Sequence, residues 1–250
     1  MARRLSNKMM NYDRISSQMR ERIASFEIQI NEALRAAGRT RDELTVIGVS
    51  KFFPPEYARA AYELGFHDLG ENRVQEMLEK MSALASQDLY PNWHLIGTLQ
   101  TNKVKSVVGK TALIHSVDSI RLMDEIASKS ESSGVTSDIL LQVNISREPS
   151  KHGFEKESLD EAIDRANALS GIRLIGLMTM APIMVDRPSE EADKCFSELR
   201  ELFNRHRANV KNTSDWKVLS MGMSQDYSLA IRHGATHIRV GTAIFGPRTL

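Results

Sequence analysis

The chain has 250 residues, of which 41% are hydrophobic and 26% charged, and its formal net charge is +1. That length suits one α/β barrel and buries a sizeable core without staples. The near-zero charge leaves no electrostatic footprint for nucleic acid or an acidic membrane surface, and no apolar run approaches the roughly 20 residues that span a bilayer.

In chain order, Met1 to Met10 carries Arg3, Arg4 and Lys8 without an acid. Organelle transit segments and frayed basic termini share that composition. From about Tyr12 to Ala37, Ile15, Met19, Ile23, Phe26, Ile30 and Leu34 recur every three or four residues, which predicts one amphipathic helix ended by Gly38. Short apolar runs follow at Leu44–Lys51, His67–Gly70, Trp93–Gly97, Ala112–Ser116, Ile139–Asn144, Arg173–Met178, Trp216–Ser220 and His237–Gly241. Helix-like stretches separate them at Glu56–Leu64, Val74–Ala85, Thr101–Val108, Ser119–Ser132, Glu157–Leu169, Ser189–Ala208 and Met223–Ile231. Strand–helix alternation implies a parallel sheet, and eight strands suit closure into a (β/α)8 TIM barrel spanning 1–250 as one domain; an open doubly wound sheet is the alternative. Cys195, the single cysteine, excludes an internal disulfide, suits a reducing cytoplasmic setting, and reads as a small, half-buried apolar helix residue.

A barrel places its chemistry at the carboxyl ends of its strands. Lys51 ends the first strand on the same face as Ile47 and Val49. A lysine at an apolar mouth is partly desolvated, which frees its amine to attack an aldehyde; the plainer reading is a strand cap pointing to solvent. The loops after strands seven and eight form the usual phosphate site of such barrels. Here Ser220-Met221-Gly222-Met223-Ser224 and Gly241-Thr242 supply hydroxyls and glycines, with Ser224 as a candidate helix cap. Arg239 shares an inward face with His237 and needs a ligand or an acid such as Glu71. Asn72 is a candidate ligand donor or a cap for the next helix. His94 is a candidate acid–base group or a structural histidine. Met178, Met180, Met221 and Met223 are expected as soft packing at the mouth. No histidine spacing suggests a metal site.

Several strings together resemble the pyridoxal phosphate homeostasis protein family. They are Val49-Ser50-Lys51, Gly70-Glu71-Asn72-Arg73-Val74-Gln75-Glu76, Trp93-His94-Leu95-Ile96-Gly97, Ser150-Lys151-His152-Gly153, Gly176-Leu177-Met178-Thr179-Met180, the Ser220–Ser224 run and Arg239-Val240-Gly241-Thr242-Ala243-Ile244-Phe245-Gly246. The resemblance implies a barrel like the N-terminal domain of alanine racemase, binding pyridoxal 5'-phosphate (PLP). It implies Lys51 as the Schiff-base lysine, Arg239 facing the pyridine nitrogen, and Ser220, Met221, Gly241 and Thr242 around the phosphate. Asn72 and His94 would lie close to the cofactor, and Lys151 would match a second lysine that helps pass it on. Phe52-Phe53 and Thr98 depart from the common family pattern.

The resemblance implies a monomeric carrier that buffers PLP or delivers it to PLP-dependent apoenzymes. A PLP-dependent amino-acid racemase is the alternative, and a cofactor-free Schiff-base aldolase a distant third. An arginine opposite the pyridine nitrogen gives up no proton, which weakens the ring as an electron sink and disfavours transamination, but does not exclude racemisation, since alanine racemase has the same arrangement. A racemase also needs a second acid–base group, a role that a second domain's tyrosine fills in alanine racemase. The expectation here is that none of Tyr12, Tyr57, Tyr62, Tyr90 and Tyr227 ends a strand opposite Lys51 and that no such domain follows strand eight.

Overall fold

The structure is a computed structural model that describes residues 2–145, 152–182 and 190–247, with side chains from residue 12 onward. Eight parallel strands close into a barrel in sequence order. They are β1 (Thr45–Val49), β2 (Asp68–Glu71), β3 (Asn92–Leu95), β4 (Leu113–Val117), β5 (Ser137–Gln142), β6 (Ile172–Met178), β7 (Val218–Met223) and β8 (His237–Val240). Pairing of β1 with β8, Thr45 against His237 and Ile47 against Arg239, seals the ring. The closed barrel is therefore the outcome, and the open sheet is not.

The surrounding helices are α1 (Ala2–Ala36), α2 (Pro55–Glu63), α3 (Val74–Ala85), α4 (Ile120–Ser132), α5 (Leu159–Ala168), α6 (Glu190–Arg205), α7 (Tyr227–Arg232) and the single turn α8 (Thr242–Phe245). Local chemistry explains their starts. Pro55 opens α2 where an amide would have no partner anyway. Ser119 Oγ accepts the Leu122 amide at the head of α4. Glu190, Glu191 and Asp193 set negative charge at the positive end of α6. The stretch after β3 differs from expectation: Thr101–Ser106 is a 3-10 turn rather than an α-helix. α1 begins well before Tyr12. No described helix is long and apolar enough to cross a membrane.

Among the described residues, two apolar clusters hold the molecule together. The larger lies between strands and helices and includes Leu69, Leu95, Met221, Ile238 and Phe245, all buried. Ile15, Met19, Phe26, Ile30 and Leu34 dock α1 onto the same layer, against α2, α7 and α8. The smaller cluster sits apart from it: Leu113, Leu140, Ile175, Met178 and Val218, from β4 to β7. Cys195 lies on α6, as read from the sequence, and is fully rather than half buried.

Candidate functional site

A cavity of about 450 Å³ opens at the carboxyl ends of the strands. Val49, Lys51 and Phe53 line it from the end of β1, Asn72 from β2, Ile96 to Thr98 from β3, and Gln142 from β5. Met223, Ser224 and Gln225 line it after β7, and Arg239, Gly241 and Thr242 from β8 and its loop. Lys51, Asn72, Arg239, Gly241 and Thr242 thus meet where the barrel rule expects them.

The backbone before Lys51 is held by a buried ion pair. Lys80 of α3 donates to the Ser50 carbonyl at 2.8 Å and to Glu71 Oε1 at 2.5 Å, while Ser50 Oγ donates to the same Oε1 at 2.5 Å. Burial pushes the Glu71 carboxyl above its usual range, against the opposing pull of Lys80. Glu71 therefore pairs with Lys80 and leaves Arg239 alone. Beyond Lys51 the chain turns through Phe52 at φ +69°. The Phe52 amide donates to Glu76 Oε2 at 3.1 Å, and its exposed ring lies under the Arg73 guanidinium. Phe53 instead turns inward and packs on Phe245.

Arg239 is buried and reaches across the barrel. Its Nη1 donates to Ser220 Oγ at 2.6 Å and its Nη2 to the Thr179 carbonyl at 2.8 Å. Both acceptors are neutral. Burial pulls its pKa down to about 10, with Asp226 opposing, so it stays cationic at neutral pH. Asp226 itself accepts the Met223 amide at 2.5 Å. The guanidinium carries five N–H donors, so at the cavity wall it can still donate to an acceptor beyond Ser220 and Thr179.

The loops after β7 and β8 are tied together: Gly241 N donates to Ser224 Oγ at 3.2 Å. Ser224 is thus not the cap of α7, where Asp226 stands. The amides of Thr242 and Ala243 open the α8 turn, where no helical carbonyl precedes to accept them. Gly97 lets the β2 and β3 loops touch, since a Cβ there would lie 2.3 Å from the Asn72 carbonyl.

Three expected site residues do not line the cavity. Ser220 lies beneath it, occupied by Arg239 and by His115 Nδ1 at 2.9 Å. Met221, next along the alternating strand, packs its side chain into the outer core. His94 sits within the barrel between His115 and Asp68. Of the four methionines expected at the mouth, Met180 and Met223 line it, whereas Met178 and Met221 are core. Asn72 lines the cavity, and the cap position of α3 falls to Arg73. Lys151 lies outside the described residues. Gln142, His152 and Gln225 escaped sequence reasoning. The position of Gln142 at the end of β5 was the available signal, and its Nε2 donates to the His152 carbonyl at 2.8 Å. Among the described residues no three His, Cys, Asp or Glu side chains converge as metal ligands would.

The family model described as the alanine racemase N-terminal domain matches residues 30–249. The pyridoxal phosphate homeostasis protein of Aquifex aeolicus (strain VF5) is 41% identical over 228 residues, 91% of this chain and 97% of that protein. This chain belongs to the pyridoxal phosphate homeostasis protein family. Among solved structures, an unknown protein from Bifidobacterium adolescentis matches with a TM-score of 0.86 and 32% identity, over 93% of this chain and 96% of the other. PipY of Synechococcus elongatus PCC7942 with PLP bound matches with a TM-score of 0.77 and 31% identity, over 91% of this chain and all of PipY. Phe53 and Thr98, read from the sequence as departures from the family pattern, both line the cavity.

Proposed function

We propose that this chain binds PLP at the barrel mouth, tethers it reversibly through Lys51, and buffers or delivers it in the cytoplasm without robust catalytic turnover. The observation that carries the reading is Arg239, a buried cation with neutral partners that lines the same cavity as Lys51. An anionic, aromatic aldehyde suits that pair. When bound, PLP supplies an aldehyde that condenses with a lysine amine. The chain's own residues do the rest. Arg239 offers a fixed positive charge to the ring, and the amides of the α8 turn, with Gly241 and Thr242, offer donors to the phosphate. Asn72 borders the cofactor, and the walls at Val49, Phe53 and Ile96 keep water from it. Family membership and the PLP-bound PipY support the choice of ligand.

A carrier fits better than a racemase. The arginine does not decide between them: it keeps its proton and makes the ring a poorer electron sink, which disfavours transamination but leaves racemisation open. Among the described residues no tyrosine lines the cavity to serve as a second acid–base group. Recipient apoenzymes and a monomeric, single-domain state belong to the same proposal. Lys51→Ala is expected to abolish the visible absorption band that PLP gives on the unmodified protein, with loss of tight binding in equilibrium dialysis. An unchanged band would remove Lys51 as the tether. Solvent-deuterium exchange at the α-carbon of amino acids, at enzymatic rates, would turn the carrier into a racemase.

A further inference from the structure

Beneath the cavity, five polar side chains from five strands run through the barrel. Arg239 Nη1 lies 2.6 Å from Ser220 Oγ, which lies 2.9 Å from His115 Nδ1. His115 Nε2 lies 3.0 Å from His94 Nδ1, and His94 Nε2 lies 3.0 Å from Asp68 Oδ1. Arg239 borders the cavity, whereas Asp68 is the first residue of β2, at the opposite end of the barrel. Ser220, His115, His94 and Arg239 are all buried, and Asp68 is half-buried.

We infer that Ser220, His115, His94 and Asp68 are positioning residues for Arg239: a one-way hydrogen-bond chain that holds its guanidinium toward the cofactor, with the polarity set by Asp68. This rests on the proposed binding of PLP.

Donor arithmetic fixes the direction. Arginine only donates, and an ionised carboxylate only accepts. With those two ends set and both imidazoles neutral, each group between has one arrangement. Ser220 accepts from Arg239 and gives its own proton to His115 Nδ1. His115 donates from Nε2 to His94 Nδ1, and His94 donates from Nε2 to Asp68. Both imidazoles are then neutral Nε2–H tautomers, and no donor or acceptor in the chain is wasted. Every dipole turns its negative end toward the cation and its positive end toward the carboxylate, so the links polarise one another. The surroundings agree. Burial, with His94, Arg239 and His237 nearby, holds His115 well below the usual histidine range. Burial would raise Asp68, but the carboxyl is held below its usual range, with hydrogen bonds from His94 and Asn92 among the causes. His237 completes the layer, 6.4 Å from both rings, with its Nδ1 3.0 Å from Thr236 Oγ1.

Reversal at the far end reverses the chain. An amide in place of Asp68 can donate to His94 Nε2, which would aim both His115 Nδ1–H and Arg239 at the one Ser220 oxygen.

Long-range proton–nitrogen spectra of the cofactor-free protein at neutral pH are expected to show His94 and His115 as neutral Nε2–H tautomers. An Nδ1–H tautomer or an imidazolium at either position overturns the inference. Asp68→Asn is expected to release PLP about fivefold faster than the unmodified protein, and Asp68→Glu, which keeps an acceptor-only group, to stay within about twofold of it. Equal release from Asp68→Asn and the unmodified protein also overturns it. If a variant fails to fold, the tautomer spectra decide. If the unmodified protein takes up no PLP, the proposed function fails while the spectra still judge the chain.

Discussion

Lys80 shows how one residue can support a site that it never touches. It is fully buried on α3, and its ammonium neutralises Glu71 while holding the carbonyl of Ser50, the residue before Lys51. Removing one partner of such a pair leaves the other charge buried and uncompensated, whereas replacing both by apolar groups is far less costly. Lys80→Met is therefore expected to lower stability by about 3–5 kcal/mol in urea unfolding. The double variant Lys80→Met/Glu71→Leu should recover most of that loss, and a double variant as unstable as the single one would show that the pair is not a unit. The residue was readable in part. Met77, Lys80 and Leu84 are spaced along one helical face, and all three are buried. A lysine within an apolar stripe was the signal, but a lone lysine on a helix is usually solvated. The same ambiguity affected Arg239, whose inward aim followed from strand alternation while its partners did not, since Ser220 lies on β7 and Thr179 just beyond β6.

At the scale of elements, periodicity did most of the work. All eight strands fall within the apolar runs or within a few residues of them, because a parallel strand covered on both faces reads as a continuous apolar segment. The exceptions have local causes. Thr101–Ser106 is too short and too rich in lysine to hold an apolar helical face and settles as a 3-10 turn. The register shift between β7 and β8, from Ser220 against His237 to Met223 against Arg239, is a pairing irregularity that no sequence pattern announces. Ser220, expected to help hold a phosphate, sits at that shift and is bonded to Arg239 and His115 beneath the cavity. Close approach of loops is equally silent. A Cβ at Gly97 would meet the Asn72 carbonyl at 2.3 Å and the Asn72 Cα at 2.7 Å, both backbone atoms with nowhere to move cheaply. Gly97→Ala is expected to push the β2 and β3 loops apart at a cost of about 1–3 kcal/mol. It should weaken PLP binding more than an alanine at Gly38, which meets nothing within 4 Å although its φ of +66° strains any side chain. Titrating both variants with PLP alongside thermal melts separates the two effects. Equal affinities would mean that the loop contact does not shape the cavity.

For the molecule as a whole, the barrel interior is divided between an apolar half at β4 to β7 and a polar half built on Asp68, His94, His115 and His237. His115 and His237, packed in this half beside a buried guanidinium, resist protonation. Burial, with His94 nearby, lowers the His237 pKa to about 3, although Asp68 pulls the other way. His115 is lowered in the same direction. The sign follows from proton counting. Between pH 6.5 and about 3 the unfolded chain carries a proton on His237 and the folded chain does not, so stability rises with pH across that window and is unaffected by this group above it; His115 acts in the same direction. Each histidine contributes a slope of up to about 1.4 kcal/mol per pH unit. Above about pH 4.5 most carboxylates are still ionised, so the histidine contribution is read there without their interference. His237→Asn, which cannot take up a proton in either state, is expected to remove about one proton from the slope of unfolding free energy against pH between 6.5 and 4.5. Urea unfolding at several pH values measures it. A slope identical to that of the unmodified protein would mean that His237 titrates inside the barrel as freely as it does in the unfolded chain. The neutral histidine layer on which the Arg239 chain depends would then lack its electrostatic seal.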